Sequence, residues 1–428
     1  MLGRWAIITG LAIGFSGAAV AAENPRVALD LKTATQLAVT NNPGIAGAAA
    51  SASEMKASVA KARSALYPTV SIQTNYGYID KQTLFGDTPV LEHTTWDNRV
   101  QVQQVVYSGG QVQAGINQAR HGHSALTHAA AAAKAEVLAN VAAGYFRAMQ
   151  AREAIQVAES SVKSLEASYD SAGKLHEAGV VTGSDVLRAK VALDSAKSAV
   201  IGARNSYNVA LANLRTAIGL PSDSVLEIKD GRADADLGAI AKGGTAQRPE
   251  IAASESALKA AQAARQAAKA GSLPTAVLVG DFFNEPEGSQ FPRRTDSVMA
   301  GVVVKMNVFD GGLTRAGIDQ ADAAIARAKS DLEGAKQAVA LQLDTARLDL
   351  DSAGARLATT ATQVQSAEES LRVLEAGYKE GITPLTDVLA AETALTQARA
   401  SRISATYDVK IAQVNLIRAM GLTDALAE

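Results

Sequence analysis

Two periodicities alternate along this chain, and the alternation happens twice. Between Thr95 and Val106 apolar and polar residues trade places one by one. Trp96, Val100, Val102 and Val106 share one side; Asp97, Arg99, Gln101 and Gln103 share the other, with Gln104 as an exception. Period-two alternation predicts a β-strand with one apolar and one wet face. The pattern returns at Val298, Ala300, Val302, Val304, Met306 and Val308, opposed by Lys305 and Asn307. Each of these strands is preceded by another, Val70 to Ile79 and Thr275 to Phe283, across a turn-rich loop, so each half of the chain is expected to hold one β-hairpin. At Tyr107-Ser108-Gly109-Gly110 and Phe309-Asp310-Gly311-Gly312 the period switches to helical. Ser108 and Asp310 are expected N-caps, and the glycines let the backbone turn at the strand–helix junction. No proline follows for about 66 residues, which at ~1.5 Å each predicts a helix of about 100 Å. Tight turns, Glu177–Asp185 and Lys379–Asp387, lead into return helices running to Ile218 and Met420. The return helices are about half as long. A shorter helix before each hairpin, Pro43 to Leu66 and Pro249 to Ala270, supplies the missing half and is expected to stack end to end on the return helix.

The repetition is written in residues as well as in periods. "VVYSGGQVQAGINQAR" from Val105 answers to "NVFDGGLTRAGIDQAD" from Asn307, and from 107 to 309 is a step of 202. The same step carries "SDVLRAKVALDSAKSA" at Ser184 onto "TDVLAAETALTQARAS" at Thr386, and "NLRTAIGL" onto "NLIRAMGL". Before the hairpins the step is 206, which carries Pro43 onto Pro249. A unit this long is no solenoid repeat, which runs ~20–50 residues. The chain divides into residues 1–21, a first repeat at 22–220, an inter-repeat linker at 221–246 and a second repeat at 247–428.

Composition narrows the class. The absence of cysteine excludes disulfides and thiolate metal sites, and a net charge of −2 excludes the basic excess of a nucleic-acid binder. Aromatics at 4% among abundant alanine suit long, closely packed helices better than an enzyme core. Residues 1–21 read as a secretory signal peptide: Arg4, an apolar run to Val20 and small residues at the cleavage site. A membrane anchor is the alternative. No later stretch approaches ~20 apolar residues, so any membrane insertion must be as a β-barrel.

Four strands cannot close a barrel, and lipid does not tolerate open edges. Membrane-facing hairpins therefore require copies to assemble; the alternative is hairpins packed on a soluble core. Strand lengths suit a tilted span, and Tyr76, Tyr78, Trp96 and Phe282 are candidate interface aromatics. Signal peptide, duplicated order, "YSGG"/"FDGG" and "GVVTGSDVL"/"GITPLTDVL" together resemble the TolC family of outer-membrane channel proteins. The resemblance spans about Leu29 to Leu422 and includes "LDLKTATQLAVTNNP", similar to the family's opening helix. It implies a mainly α fold with transmembrane β: a long α-helical barrel plus a β-barrel shared between three chains, built from two tandem structural repeats. The missing lipidation cysteine fits the non-lipidated branch.

Catalytic patterns are absent: there is no H-E-x-x-H, no phosphate loop and no elbow-type serine. No enzyme activity and no cofactor are expected. His121, His123 and His128 cluster, but His123 sits about 200° around a helix from His121, so one helix cannot bring all three to one ion. Solvated surface histidines are the plainer reading. The tip turns are the better candidates. Gly179 and Gly381 are expected helix C-caps, and Asp185 and Asp387 open the return helices, where dipole stabilisation alone would explain them. The resemblance implies that these tips are the closable periplasmic entrance where adaptor proteins dock. On that basis the gate comprises Asp387, Tyr378, Thr383, Asp185 and Thr182, and the docking surface Gly179, Val180, Leu187, Gly381, Ile382 and Leu389. Asp387 falls on the family's entrance-lining carboxylate and Tyr378 on a tyrosine that helps hold the tip closed. Thr383 stands where the best-known member has arginine, and Ala390 where it has a second aspartate. Contacts through Thr182 and Thr383 would have to replace that network. The implied function is a trimeric exit duct in the outer membrane, served by a periplasmic adaptor and an inner-membrane pump, for efflux or type I secretion. A metal-ion efflux duct and a non-pore periplasmic coiled-coil spacer are the alternatives. Drugs, metal ions and secreted protein all remain open as cargo.

Overall fold

The computed structural model describes residues 26–78, 80, 84–85, 88–89, 94–229, 237–240, 247–284 and 296–427. The expected signal peptide and most of both hairpin loops lie outside the described residues. The elements follow the expected doubled order. The first repeat holds β1 (Arg26–Leu29), α1 (Leu31–Asn41), α2 (Pro43–Ser64), β2 (Thr69–Tyr78), two short strands β3 (Leu84–Phe85) and β4 (Thr88–Pro89), β5 (Thr94–Tyr107), α3 (Gln111–Glu177) and α4 (Gly183–Ile218). After β6 (Val225–Ile228) and α5 (Leu237–Ile240), the second repeat holds α6 (Pro249–Ala270), β7 (Thr275–Asn284), β8 (Asp296–Lys305), α7 (Leu313–Lys379) and α8 (Leu385–Ala419), and a 3₁₀ turn at Thr423–Leu426 follows.

The two hairpins join into one antiparallel sheet of order β2-β5-β7-β8. Within each hairpin the register is the same: Thr69 faces Gln103 and Thr275 faces Lys305. Its two faces differ in chemistry. Val70, Ile72, Tyr76, Tyr78, Leu278, Phe282, Val298, Val302 and Val304 share one face and are all exposed. Ser71, Gln73, Arg99, Gln101, Gln103 and Asp281 share the other. A water-soluble sheet would bury that apolar face. Gln104, the polar exception on it, turns its amide to the Leu66 carbonyl where α2 hands over to β2 (3.3 Å). The second strand of repeat two was expected to reach Val308, but β8 ends at Lys305. The reason is pairing. β5 has a neighbour on both sides and runs to Tyr107, whereas β8 is an edge, and Val308 and Phe309 stand 91% and 89% exposed.

Both long helices contain 67 residues, about 100 Å each. Ser108 and Asp310 are not their N-caps by position. Gly110 and Gly312 are, in left-handed conformation at φ 87° and 90°, which delays the first helical residue. The two side chains still cap from further back: Ser108 Oγ accepts from Val112 N (3.2 Å) and Asp310 Oδ2 from Thr314 N (2.9 Å).

The short helices dock on the ends of the return helices through one repeated device. Asn42 Nδ2 donates to the carbonyl of Ala217 (2.7 Å), and Arg248 Nη1 donates to that of Ala419 (2.7 Å). Donors stand 206 apart and acceptors 202 apart, so the clamp is the same with a different side chain. The inter-repeat linker, 221–246, carries structure where it is described, over 221–229 and 237–240. Leu226 and Ile228 of β6 alternate inward while Val225 and Glu227 face out, and β6 pairs in parallel with β1. With α1 and the 3₁₀ turn, whose Leu426 carbonyl accepts from buried Thr35 (3.0 Å), they form a collar at mid-length. Its core contains Leu29, Phe146, Leu214, Ile218, Val414 and Ile417, where each fully buried side chain contributes about 1.5–3 kcal/mol. A second core lies at the far end of the hairpins and includes Tyr378.

Candidate functional site

The two tips are built alike up to the turn and differ beyond it. Gly179 (φ 76°) and Gly381 (φ 73°) occupy the left-handed position. Val180 N bonds the Leu175 carbonyl (2.9 Å) and Ile382 N that of Gly377 (2.8 Å), the wrap that satisfies a helix's last carbonyls. Val180 and Ile382 project outward, 56% and 75% exposed. The tips lie side by side: a Cβ added at Gly381 would meet Val180 Cγ1 at 3.8 Å.

The return helices begin differently. In α4, Thr182 is the N-cap, and both its backbone N–H (3.2 Å) and its hydroxyl (2.9 Å) donate to Asp185 Oδ2. The carboxylate of Asp185 is thus committed to a capping box. In α8 the N-cap is Pro384, which has neither an N–H nor a hydroxyl to offer. Asp387 occupies the same third position, is exposed, and meets only the Thr386 hydroxyl, at 3.4 Å. One aspartate holds a helix end and its counterpart is left for solvent. We therefore expect Asp185→Ala to cost about 1 kcal/mol of tip stability and Asp387→Ala less than about 0.5 kcal/mol, read by hydrogen exchange across the turns.

Thr383 and Tyr378 both pack within the chain's own tip. The Thr383 hydroxyl packs on Gly377, where an added Cβ would fall 2.3 Å from it. Tyr378 is buried among Leu371, Leu385, Val388 and Ala189, and its hydroxyl has no hydrogen-bond partner. Burial, then the charge of Asp185, push this phenol above its ordinary value. The capping carboxylate of the first repeat thus lies near enough to the tip core of the second for its charge to act on Tyr378. Of the remaining tip residues, Leu187 is exposed, whereas Leu389 packs against both tip cores and is half-buried.

At the strand–helix junctions Gly109 and Gly311 share positive φ (60° and 65°) but not surroundings. A Cβ at Gly109 would fall 2.5 Å from Leu273 Cβ, whereas one at Gly311 meets nothing within 4 Å. His121, His123 and His128 are half-buried along α3, and no group of three metal-ligating side chains forms among the described residues. Arg248 and Glu392 escaped the sequence reading. Arg248 had a signal in its alignment with Asn42; Glu392 had none.

Long helical hairpins ending in paired tips, with an exposed apolar sheet face at the other end, define a channel-type outer-membrane protein. The profile of the Outer membrane efflux protein family matches residues 34–220 and 245–422, once per repeat, and the chain belongs to that family. It is 25% identical over 401 residues to Protein CyaE of Bordetella pertussis, spanning 92% of this chain and 84% of that one. It is 22% identical over 432 residues to Outer membrane protein TolC of Escherichia coli, spanning 97% and 85%. The crystal structure of VceC, an outer membrane protein of Vibrio cholerae, superposes with a TM-score of 0.79 at 18% identity over 91% of this chain and 96% of that one. This is a TolC-type outer-membrane efflux channel, in a family of channels and not of enzymes. Among the described residues no helix is long and apolar enough to cross a membrane.

Proposed function

We propose that three copies of this chain close one β-barrel and one helical tunnel, forming an exit duct for an inner-membrane pump and a periplasmic adaptor in efflux or type I secretion. The observation that carries this reading is the pair of open sheet edges, β2 and β8, in a sheet whose interior already contains the missing contact. Inside the chain, β5 of the first repeat pairs with β7 of the second. The same contact made between copies places β8 against β2 of the next chain, with Val304 opposite Thr74, as Val102 stands opposite Gly280. Bare Gly311 would then be covered by the next copy's Tyr67 as Gly109 is covered by Leu273. Tyr67 is 69% exposed in the single chain. Four strands from each of three copies exceed the eight that natural transmembrane barrels require. The exposed apolar sheet face also weighs against a non-pore spacer.

The chain has no cysteine, so Thr74→Cys with Val304→Cys is a clean pair. Oxidation is expected to convert the protein into covalent dimers and then trimers. A monomer band that persists on oxidation, in protein that still conducts in planar bilayers, refutes this register.

At the opposite end, the tip is the gate in this reading. Three Asp387 carboxylates, free of capping duty, would face the entrance, and opening is a population shift driven by adaptor binding at Val180, Ile382 and Leu187. Single channels of Asp387→Ala should lose cation preference while those of Asp185→Ala keep it. Equal selectivity in both variants removes Asp387 from the entrance.

A further inference from the structure

We propose that Glu392 is a protonation-controlled latch between the two repeats at the tip, holding α8 against α3 when neutral and releasing it when ionised. This rests on the reading of the tip as the gate. Between mid-length and the apolar tip core, the seam between α3 and α8 carries a row of polar contacts. The Tyr407 hydroxyl donates to Glu153, Gln150 Nε2 to Ser404 Oγ (2.9 Å), Arg399 Nη1 to Ser160 Oγ (3.5 Å), and Thr396 Oγ1 to Ser161 Oγ (3.2 Å). Hydroxyl contacts of this kind exchange readily for water, so this polar stretch between the repeats adheres less than an apolar one would. Glu392 stands where this polar row meets the apolar tip core, beside Ser164 of α3. It is 5% exposed, and its Oε2 has no hydrogen-bond partner.

Among the described residues, the cations on the elements around it, Arg399 and Lys190, are already engaged. From α7 the carboxyl faces Glu375. From its own helix it faces Arg399, whose guanidinium is engaged by Glu368 of α7 (2.9 Å) and Ser160 of α3. From α3 it meets the neutral Ser164. In α4, which joins the neighbouring core through Leu193 and Ala196, Lys190 is held by Asp194 (3.2 Å) and the ring of Tyr169. Burial first, then Glu375, raise the carboxyl above its ordinary value of 4.5, against the lowering effects of Ser164 and Arg399. A raised acid stabilises the packed state below its unfolded value, and that contribution is lost as pH rises through the folded value. The seam is therefore tightest in acid. On release the proton passes to water, and the buried carboxylate draws solvent in or swings out.

The test uses full-length protein carrying Ser161→Cys and Thr396→Cys, whose native hydroxyls lie 3.2 Å apart across the seam. Disulfide formation is timed at pH 5 and pH 8 with and without Glu392→Gln, the isosteric neutral side chain. Comparison at equal pH cancels the pH dependence of thiol chemistry. The ratio of rates, Gln over Glu, should be larger at pH 8 than at pH 5. Adding Glu375→Gln, which removes the repelling charge, should move the transition to lower pH, a shift that a purely structural role would not produce. A ratio that is the same at both pH values overturns the latch. Conductance of the same proteins separates the two claims. If the ratio rises while conductance is unchanged by pH, the latch stands and the tip is not the gate; a flat ratio sinks the latch whatever the conductance.

Discussion

Adding one methyl group at Gly219 is expected to stop the first repeat from closing. Gly219 ends α4 at φ 86°, a conformation that costs an L-residue about 1–2 kcal/mol by itself. A Cβ there would lie 2.5 Å from the Asn41 carbonyl oxygen, 2.8 Å from its carbon and 2.9 Å from Asn42 Cα. All three are backbone atoms, so no rotamer change relieves the clash. The turn between α1 and α2 has to move away, and with it goes the Asn42–Ala217 clamp that docks α2 on α4. Overpacking of this kind adds about 1–3 kcal/mol, for a total of about 2–5 kcal/mol. Gly179→Ala is the control. It has the same sign of φ (76°) and nothing within 4 Å of the new Cβ, so only the backbone term of about 1–2 kcal/mol applies. Denaturant midpoints of the two purified variants should differ clearly, and Gly219→Ala should reach the outer membrane poorly. Equal losses would mean that the α1–α2 turn yields freely.

Arg248→Ala should match it in the second repeat. The guanidinium is 5% exposed and makes a fork to Glu250 (Nε–Oε2 3.1 Å, Nη2–Oε1 2.9 Å), with further bonds to Gln342 Oε1 (3.1 Å) and the Ala419 carbonyl. Removing it leaves three acceptors without their donor, one of them a half-buried carboxylate, a loss of about 3–5 kcal/mol. Asn42→Ala, its counterpart, removes a neutral donor near the surface and should cost about 1 kcal/mol. The charge adds a pH signature. Burial alone would raise the carboxyl of Glu250, but the Arg248 hydrogen bond, a backbone hydrogen bond and the charges of Arg248 and Arg418 outweigh it, and the group sits below 4.5. A lowered acid contributes stability above its unfolded value and loses it as pH falls through the folded one. Wild-type protein should therefore lose part of its margin as pH falls, whereas Arg248→Ala, whose Glu250 keeps the burial penalty without the partner, gains as that carboxyl protonates, so the gap between the two midpoints narrows in acid. Parallel stability curves between about pH 3 and 6 would contradict the charge role and leave only packing.

How much of this could be read in advance depends on the distance over which each feature is decided. The step of 202 residues, the order of elements, the strand faces at Val100 and Gln101 and the left-handed glycines at Gly179 and Gly381 were legible, because each depends on residues within one turn or one pleat. Gln104 showed as an anomaly without its reason. Ser108 and Asp310 stand two residues before the true N-caps because the glycines after them delay the helix. The reach of β8 was overestimated because strand length depends on having neighbours as well as on alternation.

The sequence by itself determined the duplication, the long uninterrupted helices and a two-faced sheet, since periodicity and turn chemistry act over a few residues. Only the tertiary structure decided which side chains meet across 171 to 254 positions: Arg248 on Ala419, Asn42 on Ala217, Tyr407 on Glu153. It also decided that Asp185 is tied while Asp387 is free, and that Tyr378 and Glu392 are buried at the tip. The physical reason is that burial and partnership belong to the packing of helices on one another. Pattern identifies the face of a helix that will be covered, and the crossing of the helices selects what covers it.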